Sequence, residues 1–543
     1  MSNDLKNKKF LIVDDFLTFR QAMKQMLVSI GGNDIDTADS GENAIREMEM
    51  KSYDIILCDY NLGTGKKDGQ QVLEETKHRN LVKYSSIFIM LTAENTMPMV
   101  MGAVEYQPDD YLIKPISKEV LRSRIERVLK KKADFEDIEK AIDNKEYMSA
   151  IALCDERVTK NPGNMLEYLR LKSNLCLTIG RYDDATEVFE MVLSMREIPW
   201  ARMGLGKVHF FTGGYLKAKE IFQSIIEENR TFMEAYDWLA KTLHELGSLE
   251  EAQKILLRAT EISPKAIVRH QKIGKISQEI NDHDTAEEAF RSAIDIGKHS
   301  CFKSPVEYAG LAKSLLKKNS PEEALSVLGT ARNEFRGNRD ALLQTAVTEG
   351  IVYKETNREE EARKVIDEAA KILNGMSGTI PVEATMDLAK VCFDMGDKET
   401  GTKLMRDIVR NNHDNEQVIN MVQDVFTDAT LEDEGQKIIS STREEIIRLN
   451  NKGVRLVEDE KYEEAIEYFK KAAGGLPDNK IINANAAHAL LIYMDKKGTN
   501  DQYIYQVLQY LEKVKMIDPS DEKYQKLLNL YEKITTSKTH QGA

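Results

Sequence analysis

The chain is short of the residues that staple small or exported folds together. Its 543 residues include only five cysteines, Cys58, Cys154, Cys176, Cys301 and Cys392, scattered widely and forming no C-x-x-C pair. That spacing excludes a disulfide framework or a zinc site and leaves reduced thiols as the expectation. Long apolar runs are missing too: no stretch approaches the roughly 18 residues of a membrane span. The N-terminal MSNDLKNKKFLIVDDF meets two aspartates as soon as its apolar run ends, which is unlike the core of an export signal. A cytoplasmic protein without membrane insertion is therefore expected. There is no positive surplus either, since 76 Lys/Arg face 90 Asp/Glu for a net charge of −14. Residues 1–132 carry 20 of each sign, leaving 56 against 70 for the rest, so the whole acidic excess is C-terminal. An acidic C-terminal part argues against a nucleic-acid footprint there.

With 41% hydrophobic and 31% charged residues, the composition is that of a folded globular chain, and its length calls for two or more folded units. From Lys9 to about Lys132 short apolar runs alternate with amphipathic stretches. Strands are predicted at KFLIV (9–13), DIDTA (34–38), IILC (55–58), SIFIML (86–91) and YLI (111–113). They are too short for helices and rich in β-branched residues, as buried parallel strands are. Five such βα units imply a parallel sheet covered on both faces, an α/β domain that binds ligands at its strand C-termini.

After Pro115 no proline or glycine recurs until Pro162, and everything beyond reads as helix with a period near 34 residues. GRYDDATEVF (180–189), GSLEEAQKIL (247–256) and EKYEEAIEYF (460–469) share one pattern, and Ala150, Ala185, Ala218, Ala252, Ala286, Ala324, Ala362 and Ala465 mark successive tight helix contacts. Pro162, Pro264, Pro477 and Pro519 fall near ends of repeats, where a helix must stop. These residues resemble tetratricopeptide repeats, most closely at 233–264, where Tyr236, Leu239, Ala240, Leu243, Gly247, Ala252, Leu256, Ala259 and Pro264 fall at the family's offsets. The resemblance implies an all-α superhelix of ten or eleven repeats over 131–520. The pattern stretches to about 38 residues between 305 and 445, where Gly401 and Gly435 take the alanine place. Residues 521–535 are read as a capping helix and 536–543 as a disordered tail.

The chemistry gathers at the strand ends. Strand one ends in Asp14 and Asp15, strand three in Asp59, strand four in Thr92, and strand five leads to Lys114 and Pro115. In a parallel sheet these ends share one edge. Three close carboxylates repel and are stable together only with a cation or by taking up protons. Oxygen-only ligands in a shallow site suit Mg²⁺, and the ion with Lys114 would draw a phosphoryl group toward Asp59 as nucleophile. Thr92 is placed to donate to a phosphoryl oxygen.

KFLIVDD, the lone Asp59 after IILC, IFIMLTA and DYLIKP together resemble the receiver domain of two-component response regulators over residues 8–130. The family fold is the flavodoxin-like doubly wound sheet, strand order 2-1-3-4-5, and a receiver of 1–130 is expected. Carried onto this chain, the resemblance makes Asp59 the phosphoacceptor, Asp15 a direct magnesium ligand and Asp14 a ligand through water. The Asn61 main-chain carbonyl completes the site, Thr92 and Tyr111 form the switch pair, and Asn61 with Glu94 tunes the phosphate lifetime. A sensor histidine kinase or phosphotransfer protein is the implied donor, and pairing of two receivers a further implication. Self-phosphorylation is the only catalysis expected.

NLGTGKKDG departs from the family: it lacks the usual proline and is two residues longer. Lys66 and Lys67 read either as solvated loop residues or as contacts for an incoming phosphate or kinase. Neither this loop nor GLGK (204–207) has the spacing of a nucleotide-binding P-loop. Output through a protein bound in the repeat groove is expected, the alternative being a constitutive scaffold whose receiver is a phosphate sink. Candidate groove residues are Trp200, Met203, Lys207, Phe210, Phe211, Asp237 and Lys241, whose aromatics suit either a binding surface or the inter-repeat core. Residues 117–147 offer no Gly or Pro hinge, so the last receiver helix is expected to run closely into the first repeat pair.

Overall fold

The computed structural model describes residues 5–63, 65–83, 85–93, 108–376, 381–519 and 521–539. The chain divides into two compact units, Met1–Lys172 with Thr186–Gly310, and Ser173–Ala185 with Leu311–Ala543.

The first unit begins with five strands, β1 (Lys9–Val13), β2 (Asp34–Ala38), β3 (Ile55–Asp59), β4 (Ile87–Thr92) and β5 (Asp110–Ile113). They form one sheet in the order β2-β1-β3-β4-β5, parallel throughout, as the sequence predicts. Alternation along each strand splits the apolar side chains between two cores. Phe10, Ile12, Ile55, Leu57, Ile87 and Ile89 pack on one face with Met23, Leu27, Leu121 and Ile125 of the helices Leu17–Ser29 and Lys118–Ala133. Leu11, Val13, Ile56, Cys58, Phe88 and Met90 pack on the other with Ala44, Ile45, Met48, Val72 and Leu73 of the helices Gly41–Met50 and Gly69–His78. Asp68 caps the last of these helices in a capping box with Gln71, a local reason for the helix to start there. Glu94 and the segment 94–107 lie outside the described residues.

The junction has no free linker. Lys118–Ala133 is followed after two residues by the helix Glu136–Asp143. Lys132 pairs with Asp109 (2.9 Å) and also donates to the Ser86 carbonyl. Asp134 accepts from Asn164 Nδ2 at 2.6 Å, and the Phe135 and Tyr168 rings lie 4.8 Å apart.

Paired helices follow, and the eight alanines named above are all fully buried at their contacts. A large ring from one helix fills the hollow left by a glycine on a neighbour: a Cβ on Gly204 would lie 2.1 Å from Phe189, and one on Gly274 2.6 Å from Phe290. The second unit keeps this rule where its sequence pattern is irregular. Gly401 takes the alanine place because the Phe393 ring lies 2.5 Å from where a Cβ would be, and Gly435 does so beneath Phe426 at 2.7 Å. The stretched period has a plain cause, since Arg339–Glu355 and Glu359–Asn374 have 17 and 16 residues where Met233–Glu245 and Leu249–Ile262 have 13 and 14. One 27-residue helix, Glu432–Glu458, serves two neighbouring pairs, meeting Phe426 through Gly435 and Phe469 through Gly453. The last helix is Glu522–Thr539, so the capping helix expected over 521–535 runs four residues into the stretch expected to be a disordered tail, with no glycine or proline before Gly542 to stop it. Among the described residues no helix is long and apolar enough to cross a membrane.

Candidate functional site

The sheet register brings the expected residues to one edge. Val13 lies beside Cys58, Asp59 beside Leu91 and Thr92 beside Ile113, so Asp14, Asp59, Thr92 and Lys114 emerge together. One oxygen from each of Asp14, Asp15 and Asp59 lies within 4.8 Å of the others. Lys114 Nζ reaches both buried acids, 2.7 Å from Asp14 Oδ2 and 3.0 Å from Asp59 Oδ2. Its ammonium also sits 4.0 Å over the Phe19 ring, which sequence reasoning did not single out. Asp14 is fixed by its neighbours: the Phe16 amide donates to its Oδ1 at 2.8 Å, and Arg20 Nη1 donates to its carbonyl at 2.5 Å.

The loop after Asp59 turns back sharply. The Gly69 amide donates to the Tyr60 carbonyl at 2.8 Å. A Cβ at position 69 would lie 2.1 Å from the Asp59 carbonyl oxygen, so only glycine fits this crossing. Asn61 is exposed, and its side-chain oxygen accepts from the Gly63 amide at 3.2 Å. Thr92 is buried at the end of β4, and its carbonyl accepts from the Lys114 amide at 2.8 Å. The Tyr111 hydroxyl is buried without a hydrogen-bond partner among the described residues, and burial, then Tyr60, raises its pKa.

Burial pushes the Asp59 carboxyl up from 3.8 to about 6 despite the opposing pull of Lys114. Lys114 thus pairs with two of the three acids, and the buried Asp15 Oδ1 has no hydrogen-bond partner among the described residues. An orphaned carboxylate oxygen beside two more carboxylates is a donor set that fits a hard divalent cation.

Residues 10–126 match the response regulator receiver domain family, and residues 234–265 match the tetratricopeptide repeat family. The chain carries an N-terminal receiver domain and a C-terminal tetratricopeptide repeat domain. Chemotaxis protein CheY-3 of Vibrio cholerae is 27% identical over 126 residues, 23% of this chain and 95% of that protein. Chemotaxis protein CheY of Pseudomonas aeruginosa is 28% identical over 123 residues, 23% of this chain and 97% of that protein. The crystal structure of a two-component response regulator from Clostridium difficile is 30% identical and covers 23% of this chain and 97% of its own, with a TM-score of 0.21. The architecture is that of a response-regulator receiver joined to a repeat array, consistent with phosphorelay signalling.

The repeat-domain candidates divide by burial. Met203 and Phe210 lie inside the packed core, 2% and 7% exposed, so they hold the repeats together instead of lining a groove. Asp237 is engaged by the buried Arg269, whose Nη2 and Nε lie 2.9 and 3.1 Å from its oxygens. Trp200 packs edge-on to Phe189 at 6.2 Å. Phe211 is exposed, and Lys241 lies 4.6 Å over Phe210 and 5.0 Å over Trp238. Lys207 pairs with Glu234 at 2.6 Å. Trp238, missed from the sequence, is the ring on which Phe210, Phe211 and Phe222 converge. Its signal was present: it lies one turn before Lys241 on the same helix.

Proposed function

We propose that this chain is a cytoplasmic response regulator that accepts a phosphoryl group on Asp59 and signals through proteins bound by its repeats. The supporting observation is the gathering of Asp14, Asp15, Asp59 and Lys114 on one sheet edge with a single ammonium shared by two buried acids. Asp14, Asp15, Asp59 and the Asn61 main-chain carbonyl would hold Mg²⁺, which when bound neutralises the carboxylates and attracts a phosphoryl oxygen.

An oxygen of ionised Asp59 attacks phosphorus of a phosphohistidine on a sensor kinase or phosphotransfer protein. A P–O bond forms, the P–N bond breaks, and the imidazole leaves with its electron pair. Lys114 pairs with a phosphoryl oxygen as charge builds there, and Thr92 donates to the phosphoryl group once it is in place. Thr92 and Tyr111 act as the switch pair, the buried Tyr111 hydroxyl being the group that gains from a rearrangement. Hydrolysis returns the carboxylate, with Asn61 and Glu94 setting its rate. The acidic repeats favour protein over nucleic acid as the output partner, and Ile113 and Val120 are exposed apolar side chains open to receiver pairing.

The domains proposed are a receiver over 1–130, repeats over 131–520 and a cap over 521–535. Incubation with acetyl phosphate and Mg²⁺ tests the reading: a hydroxylamine-labile phosphoryl label on Asp59 is expected, absent in Asp59→Asn. A label elsewhere, or none, overturns it. Affinity capture with both proteins then separates regulated partners from those of a constitutive scaffold.

A further inference from the structure

Lys67, one of the two lysines in the lengthened loop after Asp59, is not a solvated loop residue: it is 8% exposed. Its Nζ donates to Glu75 Oε2 and to the main-chain carbonyl of His299 in the repeat domain, both at 2.5 Å. Five more contacts surround this bridge. Gln71 Nε2 donates to the Ile296 carbonyl at 3.2 Å, and Ser300 Oγ donates to Glu74 Oε1 at 3.2 Å. Lys265 pairs with Asp68 at 3.0 Å and lies 5.3 Å over the Tyr60 ring. His78 meets Phe302 edge-on at 4.9 Å. Receiver residues Tyr60, Lys67, Asp68, Gln71, Glu74 and His78 therefore meet Lys265, Ile296, His299, Ser300 and Phe302 of the repeats, all within one compact unit.

The loop that begins at Asp59 ends at the repeats. We propose that it is a latch: occupation of the Asp59 site and the receiver–repeat contact are linked, and loading the site tightens the contact. This rests on the reading of Asp59 given above. A ligand that takes the Asn61 carbonyl must hold residues 60–63 still, while Lys67, Asp68 and Gln71 hold the same loop from its other end. Each event pays part of the ordering entropy of the other, so the two are mutually favourable and the coupling is reciprocal. The closed latch also hides Glu74 from any other protein.

Cys301 reports on the contact, because it alone among the five cysteines is not buried. Burial first, then Glu74 and Glu75, pushes its thiol up to about 12. Opening the latch removes both carboxylates and admits solvent, so the thiol reacts faster. The experiment follows labelling of Cys301 by N-ethylmaleimide in the full chain. Lys265→Glu, at a partly exposed position facing Asp68, and Lys67→Met should each label about fivefold faster than wild type. Mg²⁺ with beryllium fluoride, a phosphoryl mimic, should slow wild-type labelling about fivefold and leave Asp59→Asn unchanged. Wild-type rates in both lysine variants, with native circular dichroism, would remove the latch. Calorimetric binding of the mimic with unchanged or faster labelling would reject the coupling and leave the receiver reading standing. No binding heat at all would bring down both.

Discussion

Replacing Asp59 by asparagine isolates what it costs the fold to hold a charge at this position. Its carboxyl is raised from 3.8 to about 6, so the native state binds the proton more tightly than the unfolded chain does. Each decade of proton affinity is worth about 1.4 kcal/mol, which makes ionised Asp59 destabilising by up to about 3 kcal/mol. The sign follows: the deficit is absent below about pH 4, grows as the pH rises, and is complete above about pH 6. Asparagine keeps the shape and removes the charge, and Lys114 keeps Asp14 as a partner at 2.7 Å. Relaxation around the new amide leaves a gain of about 1–3 kcal/mol at neutral pH without divalent metal. Fluorescence would miss it, because both tryptophans, Trp200 and Trp238, lie in the repeats. Amide hydrogen exchange along β3 reads the receiver directly. In EDTA at about pH 7.5 the asparagine variant should exchange roughly tenfold to hundredfold more slowly than wild type, and near pH 4 the two should converge. Saturating Mg²⁺ should protect wild type and not the variant. Equal or faster exchange in the variant at neutral pH would refute the assignment of Asp59 as a strained, charge-bearing site.

Magnesium binding should release a proton and weaken as the pH falls through about 6, the value to which Asp59 is raised; calorimetry in two buffers of different ionisation heat measures both. Lys114→Met should lower Asp59 labelling by acetyl phosphate roughly a hundredfold while leaving the sheet folded, as the initial rate of label uptake will show. Gly401→Ala should destabilise the second unit by about 1–3 kcal/mol, because its methyl would lie 2.5 Å from the Phe393 ring; urea titration by circular dichroism checks this.

The strand positions and the acidic site were legible because both depend on local pattern. Runs such as IILC cannot be surface structure, and a parallel sheet places every strand end on the same edge. Lys67 was not legible: its environment is set by a carbonyl 232 residues away, and no local feature of GTGKKDG announces that surface. Phe210 and Phe211 are neighbours of the same type, yet one is core and the other exposed, because consecutive positions on a helix point about 100° apart and only one of them faces the core. The 27-residue helix left a trace, since no glycine or proline stop separates Gly435 from Gly453.

That long helix has a mechanical consequence. Repeats joined by turns can peel apart one at a time, each turn acting as a crease where the stack yields. Residues 432–458 have no crease, so the pairs on either side share one axle and must fray together or not at all. A protease nick or an inserted glycine run near Ile446, buried at its midpoint, would let them separate.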